Sequence, residues 1–233
     1  MIKFVAFLKK PASMTSDELK NWWLGGHAKL TREKFPGLKK YVICLAVGPE
    51  DRQADGMAEM WFDNLDTLKK GLQSDVMAQL VKDCQEHKIS LALELWNEEF
   101  EQKPLPGAKE PSPDMVKFIS VLKRPARLSV EEVKKWWLGG HAKYTRENAK
   151  GLRKYIINLA IGPRGEQAKW SNKGVECEGD GIAEMWFDDV AGIKQFLASP
   201  TLKYLRKDAM EDYGMTEVAQ LWVKDYPQTL ANK

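Results

Sequence analysis

Two of the three histidines in this 233-residue chain occupy the same local sequence. His27 sits in Trp22-Trp23-Leu24-Gly25-Gly26-His27-Ala28-Lys29, and His141 sits in Trp136-Trp137-Leu138-Gly139-Gly140-His141-Ala142-Lys143, 114 residues further on. Imidazole titrates near neutral pH, so each ring can take or give a proton without help from a cofactor. The functional reading is a general acid/base that faces a pocket between a helix and a barrel interior. The bland alternative is a core histidine bonded to a backbone group, and a duplication copies neutral residues along with useful ones. The paired glycines favour function. Each costs about 1 kcal/mol relative to alanine inside a helix, and close backbone approach to a strand or ligand is the usual compensation.

Other side chains could serve the same site. Trp22, Trp23, Trp136 and Trp137 fall at helical spacing, which suits core on one side and pocket wall on the other. Tyr41 and Tyr155 could hydrogen-bond a substrate oxygen, or simply pack with a satisfied hydroxyl. Glu59 and Glu184 alternate with apolar residues along a strand, which sets a carboxylate on an apolar face. Such a group either has a raised pKa at an active site or sits in an ion pair, here with Arg32 or Arg146. Asn158 stands where the first copy has Cys44, and hints that the two pockets differ. His87 has no counterpart and reads as a surface residue.

The elements that must position these groups come twice. Residues Ile2 to Lys9 read as a strand, and Thr15-Ser16-Asp17-Glu18 is a capping box that opens the histidine-bearing helix. Pro36-Gly37 ends that helix, and Leu38 to Gly48 and Met57 to Asp63 are strands joined across Asp55-Gly56. Leu65 to about Cys84 is helical with a break near Gln73-Ser74, and Ile89 to Phe100 supplies a fourth strand. Strand, helix, strand, strand, helix, strand is the ferredoxin-like order. From Phe118 to Pro163 the chain repeats Phe4 to Pro49 without a gap, with roughly 27 of 46 positions identical. The expected fold is therefore α+β: two ferredoxin-like units, 1–102 and 116–233, joined by a proline-rich linker, 103–115. Strands apolar on both faces must bury both faces, so the two sheets should pack together as a barrel-like pseudo-dimer within one chain. That unit could stand as a monomer or pair again as a homodimer. The loop 164–179 exceeds its counterpart 50–54 by 11 residues, which predicts that only one pocket is fully competent.

Composition narrows the partners. A hydrophobic fraction of 43% with 30% charged residues describes a globular chain, and no apolar run approaches the roughly 18 to 20 residues of a membrane span. The net charge of +3 is spread along helices, which argues against nucleic acid. Three cysteines without a CxxC pair argue against a disulfide framework or structural zinc and suit the cytoplasm. The start of the chain is too short and lysine-rich for a signal peptide. A small molecule is the expected partner.

The chain resembles the EthD family of the dimeric α+β barrel superfamily. The resemblance rests on Gly26-His27-Ala28 and Gly140-His141-Ala142, on Gly37-Leu38-Lys39-Lys40-Tyr41 and Gly151-Leu152-Arg153-Lys154-Tyr155, and on Asp55 to Asp63 and Asp180 to Asp188. Asp83 and Asp208 also fit the family pattern. They could orient the imidazole or act as a second acid/base, or merely face water beside Lys82 and Lys207. The family normally uses one unit per chain, so the resemblance implies a fused dimer. It further implies a lyase or isomerase of the dehydratase, decarboxylase or lactone isomerase kind, acting on an apolar oxygenated intermediate of aromatic or polyketide metabolism. A non-catalytic ligand-binding accessory protein and a haem-binding or cofactor-free oxygenase barrel are the alternatives. No P-loop, GxGxxG, GxSxG or HExxH occurs, and no metal-ligand spacing is evident. The expected chemistry uses neither cofactor nor metal.

Overall fold

The computed structural model describes residues 1–107, 110–161 and 179–231. The elements follow in the order β1 (Ile2–Lys9), α1 (Ser16–Trp22), α2 (Ala28–Lys34), β2 (Lys40–Gly48), β3 (Gly56–Phe62), α3 (Leu65–Leu72), α4 (Asp75–Glu86), β4 (Ser90–Lys103), β5 (Val116–Lys123), α5 (Val130–Trp136), α6 (Ala142–Asn148), β6 (Lys154–Ala160), β7 (Gly181–Phe187), α7 (Val190–Leu197), α8 (Pro200–Arg206) and β8 (Thr216–Gln228). Both predicted capping boxes form. The Thr15 hydroxyl accepts from the Glu18 amide at 3.2 Å and the Ser129 hydroxyl from the Glu132 amide at 3.2 Å. Ser74 caps α4 at the predicted break in the second helical stretch.

All eight strands close into one antiparallel barrel with the order β1-β3-β2-β8-β5-β7-β6-β4. The expected barrel is present, and its two sheets join edge to edge. The edge of β2 is hydrogen-bonded to β8 and the edge of β4 to β6, so no sheet edge is left open. Strand β4 therefore runs on to Lys103 so that it can pair with β6, and Lys103 lies opposite Tyr155.

Closure explains why the strands are apolar on both faces. Val5, Phe7, Val42, Met57 and Leu95 point into the barrel and pack against Ile119, Val121, Ile182, Leu221 and Val223. Phe4, Tyr41, Met60, Phe62 and Trp96 point outward beneath Leu19, Trp23, Leu68 and Leu80 of the helices. The same arrangement repeats outside β5 to β8 under Val133, Trp137, Ile193 and Leu205. Among the described residues no helix is long and apolar enough to cross a membrane.

Candidate functional site

The expected helix through the glycines is two helices. Between α1 and α2 the residues Trp23–His27 form a single π turn, and at Gly25 the backbone leaves helical geometry (φ −82°, ψ −114°). The second copy repeats this at Gly139 (φ −87°, ψ −114°). All four glycines are exposed, and a Cβ added to any of them meets nothing within 4 Å. Close approach to a strand is therefore not their reason, and they do not hold a hollow open. They mark a bend, with a fully buried tryptophan on one side and the histidine on the other.

His27 is 8% exposed, and its Nδ1 lies 2.7 Å from Asp83 Oδ2 of α4. The carboxylate accepts, so Nδ1 carries the hydrogen and Nε2 carries the lone pair. Nε2 has no hydrogen-bond partner among the described residues. Burial lowers the His27 pKa below its usual 6.5, only partly offset by the hydrogen bond and charge of Asp83. The ring is therefore neutral at pH 7, ready to accept a proton. Trp22 packs on it at 4.4 Å between ring centroids. His87 is exposed, as expected, yet its Nδ1 lies 2.9 Å from the Asp83 carbonyl oxygen, which ties it to the same aspartate.

A cavity of about 360 Å³ opens between these helices and the outer face of the sheet, with His27 in its wall. Phe4, Ala6, Leu8, Ala58, Met60 and Leu80 make it largely apolar, and Thr31, Tyr41, Cys84 and Glu94 add polar groups. Tyr41 accepts a 3.3 Å hydrogen bond from Trp23 Nε1, and burial holds its hydroxyl well above the usual range. Burial likewise pushes Cys84 up to about 12. Glu94 was not singled out from the sequence. It is 3% exposed, Trp96 Nε1 donates to its Oε1 at 2.8 Å, and burial raises its pKa from 4.5 to about 7. The available signal was a single carboxylate in the run Leu91 to Trp96, on the face opposite Leu93 and Leu95.

The second half keeps the pair but not the space. His141 Nδ1 lies 2.6 Å from Asp208 Oδ2, which also accepts from Trp136 Nε1 at 2.9 Å. Partial burial favours the neutral form of Asp208, yet the bonds from His141 and Trp136 outweigh it and hold the pKa below its usual value. Behind His141 the cavity is only about 50 Å³, lined in part by Tyr155, Ser120, Arg206 and Glu217. Ser120 donates to Glu217 at 2.6 Å, and Arg206 lies 3.7 Å from the same carboxylate. The solvent side of His141 borders an open groove of about 680 Å³ beside Trp136, Tyr144 and Tyr204. The loop 164–179 expected to distinguish the pockets lies outside the described residues, except for Gly179.

The structure does not bring Glu59, Glu184 and Asn158 to either imidazole. Glu59 and Asn158 alternate with outward-facing neighbours and point into the barrel, and Glu184 meets Glu59's partner there. Their partners are also not the expected ones. Lys3 Nζ lies 2.8 Å from Glu59 and 2.5 Å from Glu184, and Lys117 Nζ lies 2.8 Å from Glu59 and 3.0 Å from Asp225. Burial pushes Glu59 up, but Lys117 and Lys3 outweigh it and hold its carboxyl far below the usual range. Burial and the charge of Glu59 raise Glu184. Arg32 and Arg146 instead donate to Gln228 and Gln102, each at 2.7 Å. Cys44, Glu59 and Asp225 offer a geometry that could hold a cation, but the Lys117 ammonium already contacts all three, at 3.4 Å from the cysteine sulfur. Asn158 donates to the Ile182 carbonyl at 3.4 Å.

The family model of the EthD domain matches residues 11–87 and 125–212. Among solved structures, an ethyl tert-butyl ether D (EthD) family protein from Bacillus halodurans is 25% identical, with 46% of this chain and 95% of that one covered at a TM-score of 0.35. An anthrone oxidase-like protein is 11% identical over 100% of this chain and 96% of its own, with a TM-score of 0.67. A haem-binding protein from Thermus thermophilus is 14% identical over 96% and 90%, with a TM-score of 0.52. At these identities the last two show a shared fold. No curated protein is significantly similar to the chain.

Proposed function

We propose that this chain, which belongs to the EthD family, is a cofactor-independent lyase or isomerase in which His27, oriented by Asp83, moves a proton on a small, largely apolar oxygenated molecule. The observation that carries the reading is a buried imidazole, bonded at 2.7 Å to a carboxylate, in the wall of an apolar cavity of about 360 Å³. That volume falls in the range of roughly 300–1,000 Å³ typical of small-ligand sites. His27 Nε2 removes a proton from carbon next to a carbonyl or from a hydroxyl, and Asp83 stabilises the imidazolium that results. Tyr41 keeps its proton at every working pH and donates it to a substrate oxygen. Trp23 and Thr31 shape the wall, and Trp22 backs the imidazole. In the second half His141 and Asp208 form the same pair, with Trp136 beside them, but Trp137 and Tyr155 line a cavity of only about 50 Å³. We assign that half a supporting role. Neutral aromatic or polyketide intermediates that lose water or rearrange a lactone are the substrate class.

The same reading takes residues 1–102 and 116–233 as two fused units, working as one pseudo-dimer in the cytoplasm. Support comes from the matched pairs Arg32–Gln228 and Arg146–Gln102, which tie each unit to the other's last strand.

Haem suits the cavity poorly. No lysine or arginine among the described residues lines it, and Glu94 adds a carboxyl beside the propionates, so none of the described side chains of its wall would offer them a lysine or arginine charge.

The test is solvent exchange. Neutral ketones and lactones incubated in heavy water with the whole chain gain deuterium next to the carbonyl, followed by mass spectrometry. Replacing both histidines, His27→Ala with His141→Ala, abolishes exchange and leaves the circular dichroism unchanged. Full exchange in that double variant refutes the reading.

A further inference from the structure

We infer that Glu94 sets the ligand class of the His27 cavity: as a carboxylic acid it donates a hydrogen bond to the oxygen of a neutral ketone, enone or lactone, and it turns anionic ligands away. The inference rests on the reading of this cavity as the reactive site.

The first argument is placement. Strand register sets Glu94 opposite Ala6, and the neighbouring pair Phe4–Trp96 lines the same outward face. A carboxyl enclosed on an apolar wall is costly to ionise, and such groups gather at functional sites. The only other ionisable groups lining the cavity among the described residues are His27 from the π turn, Tyr41 from β2 and Cys84 from α4. Tyr41 and Cys84 keep their protons through the neutral range.

The second argument is the internal comparison. The register that pairs Ala6 with Glu94 pairs Ser120 with Gln220 in the second half. Around it, Val81 and Leu91 in the first half give way to Arg206 and Glu217, which bond to each other and to Ser120 and Gln220. The half that has Gln220 at the Glu94 position, and whose own carboxyl Glu217 is held by Arg206 and Ser120, keeps a cavity of only about 50 Å³ against about 360 Å³. Among the described residues, the carboxyl that an arginine contacts is the one in the smaller cavity.

The chemistry balances. His27 Nε2 takes the proton from the carbon beside the carbonyl, the C–H electron pair becomes the new C=C bond, and the Glu94 proton passes to the carbonyl oxygen. The enol forms with His27 cationic and Glu94 ionised. Return of the His27 proton to the far carbon of a conjugated ligand, and of the hydroxyl proton to Glu94, gives the isomer and restores both groups.

The experiment is calorimetry on the full chain with 1-tetralone as the neutral probe and 1-naphthoate as its anionic counterpart. Wild type should bind tetralone at least about tenfold more tightly near pH 5.5 than near pH 8.5. Near pH 8, buffers of different ionisation heat should report proton uptake on tetralone binding, a readout that needs no variant. Glu94→Gln should bring the two tetralone affinities within about twofold and improve naphthoate binding near pH 8.5 by about tenfold or more. Absence of tetralone binding at about millimolar concentration, absence of proton uptake, or a pH dependence that survives in Glu94→Gln overturns the inference. His27→Ala separates it from the proposed function. pH-dependent tetralone binding that persists there supports the role of Glu94 whether or not wild type exchanges deuterium, and exchange by wild type alongside pH-independent binding sinks only the role of Glu94.

Discussion

Glu94 also makes a prediction about the folded state that needs no ligand. Its pKa rises from 4.5 to about 7 because burial penalises the carboxylate. At about 1.36 kcal/mol per pKa unit, keeping that group in the fold once it ionises costs about 3 kcal/mol. The folded pKa lies above the unfolded one, so between them the folded chain holds more protons. The contribution is fully present below about pH 4.5 and is lost as pH rises to about 7. Glu94→Gln removes this titration and leaves every other group in place. His27 works in the opposite sense, since its folded pKa is lowered, but it does so equally in both proteins and cancels in the difference. Urea unfolding at about pH 5 and pH 8 should show wild type losing about 2–3 kcal/mol more than Glu94→Gln between the two. For a chain of this length that is a relative fall in Tm of roughly 4–12 °C. Parallel pH dependence in the two proteins would mean that Glu94 ionises freely in the fold, and the burial argument would be wrong.

Three further outcomes follow from the geometry. Asp83→Asn removes the charge that holds His27 Nδ1 at 2.7 Å and that partly offsets burial. The His27 pKa, read by NMR titration, should fall further, and deuterium exchange should slow by about 10- to 100-fold, the worth of a charge-assisted hydrogen bond; an unchanged rate would remove Asp83 from the mechanism. Lys117→Met leaves Glu59 and Asp225 facing each other without their shared ammonium, and urea unfolding should show a loss of about 3–5 kcal/mol, with a negligible loss counting against the buried network. Gly56→Ala would set a Cβ 2.6 Å from the Cys44 carbonyl oxygen and 2.8 Å from the Trp23 ring, at a cost of about 1–3 kcal/mol, while Gly26→Ala meets open space and should change stability by less than about 1 kcal/mol. Equal costs would refute the packing assigned to Gly56.

Much of this architecture was legible in the sequence because its signals are local. Alternation and turn residues located β1 to β3, and Thr15-x-x-Glu18 and Ser129-x-x-Glu132 located two helix starts. The His–Asp pairing came through the family resemblance, since 56 residues separate His27 from Asp83 and nothing between them fixes the contact. What stayed hidden depends on which strand edges meet. Barrel closure joins β2 to β8 and β4 to β6, and only closure puts Glu59 beside Lys117, 58 residues away and from the other half. Without it Arg32 looked a fair partner. Glu94 was missed for a related reason. Alternation puts it on the face opposite Leu93 and Leu95, but only the helices laid over that face turn it into a cavity wall. The glycine pairs misled because periodicity continues across the bend and gives no sign of the π turn.

The central claim is that proton transfer belongs to the imidazole with a cavity behind it. The most direct measurement compares His27→Ala and His141→Ala singly, by the initial rate of deuterium uptake into the best ketone substrate near pH 7. His27→Ala should lose about 100-fold or more, the usual worth of a positioned general base, and His141→Ala should stay within about twofold of wild type. Equal losses from the two variants, or a larger loss from His141→Ala, would contradict the account.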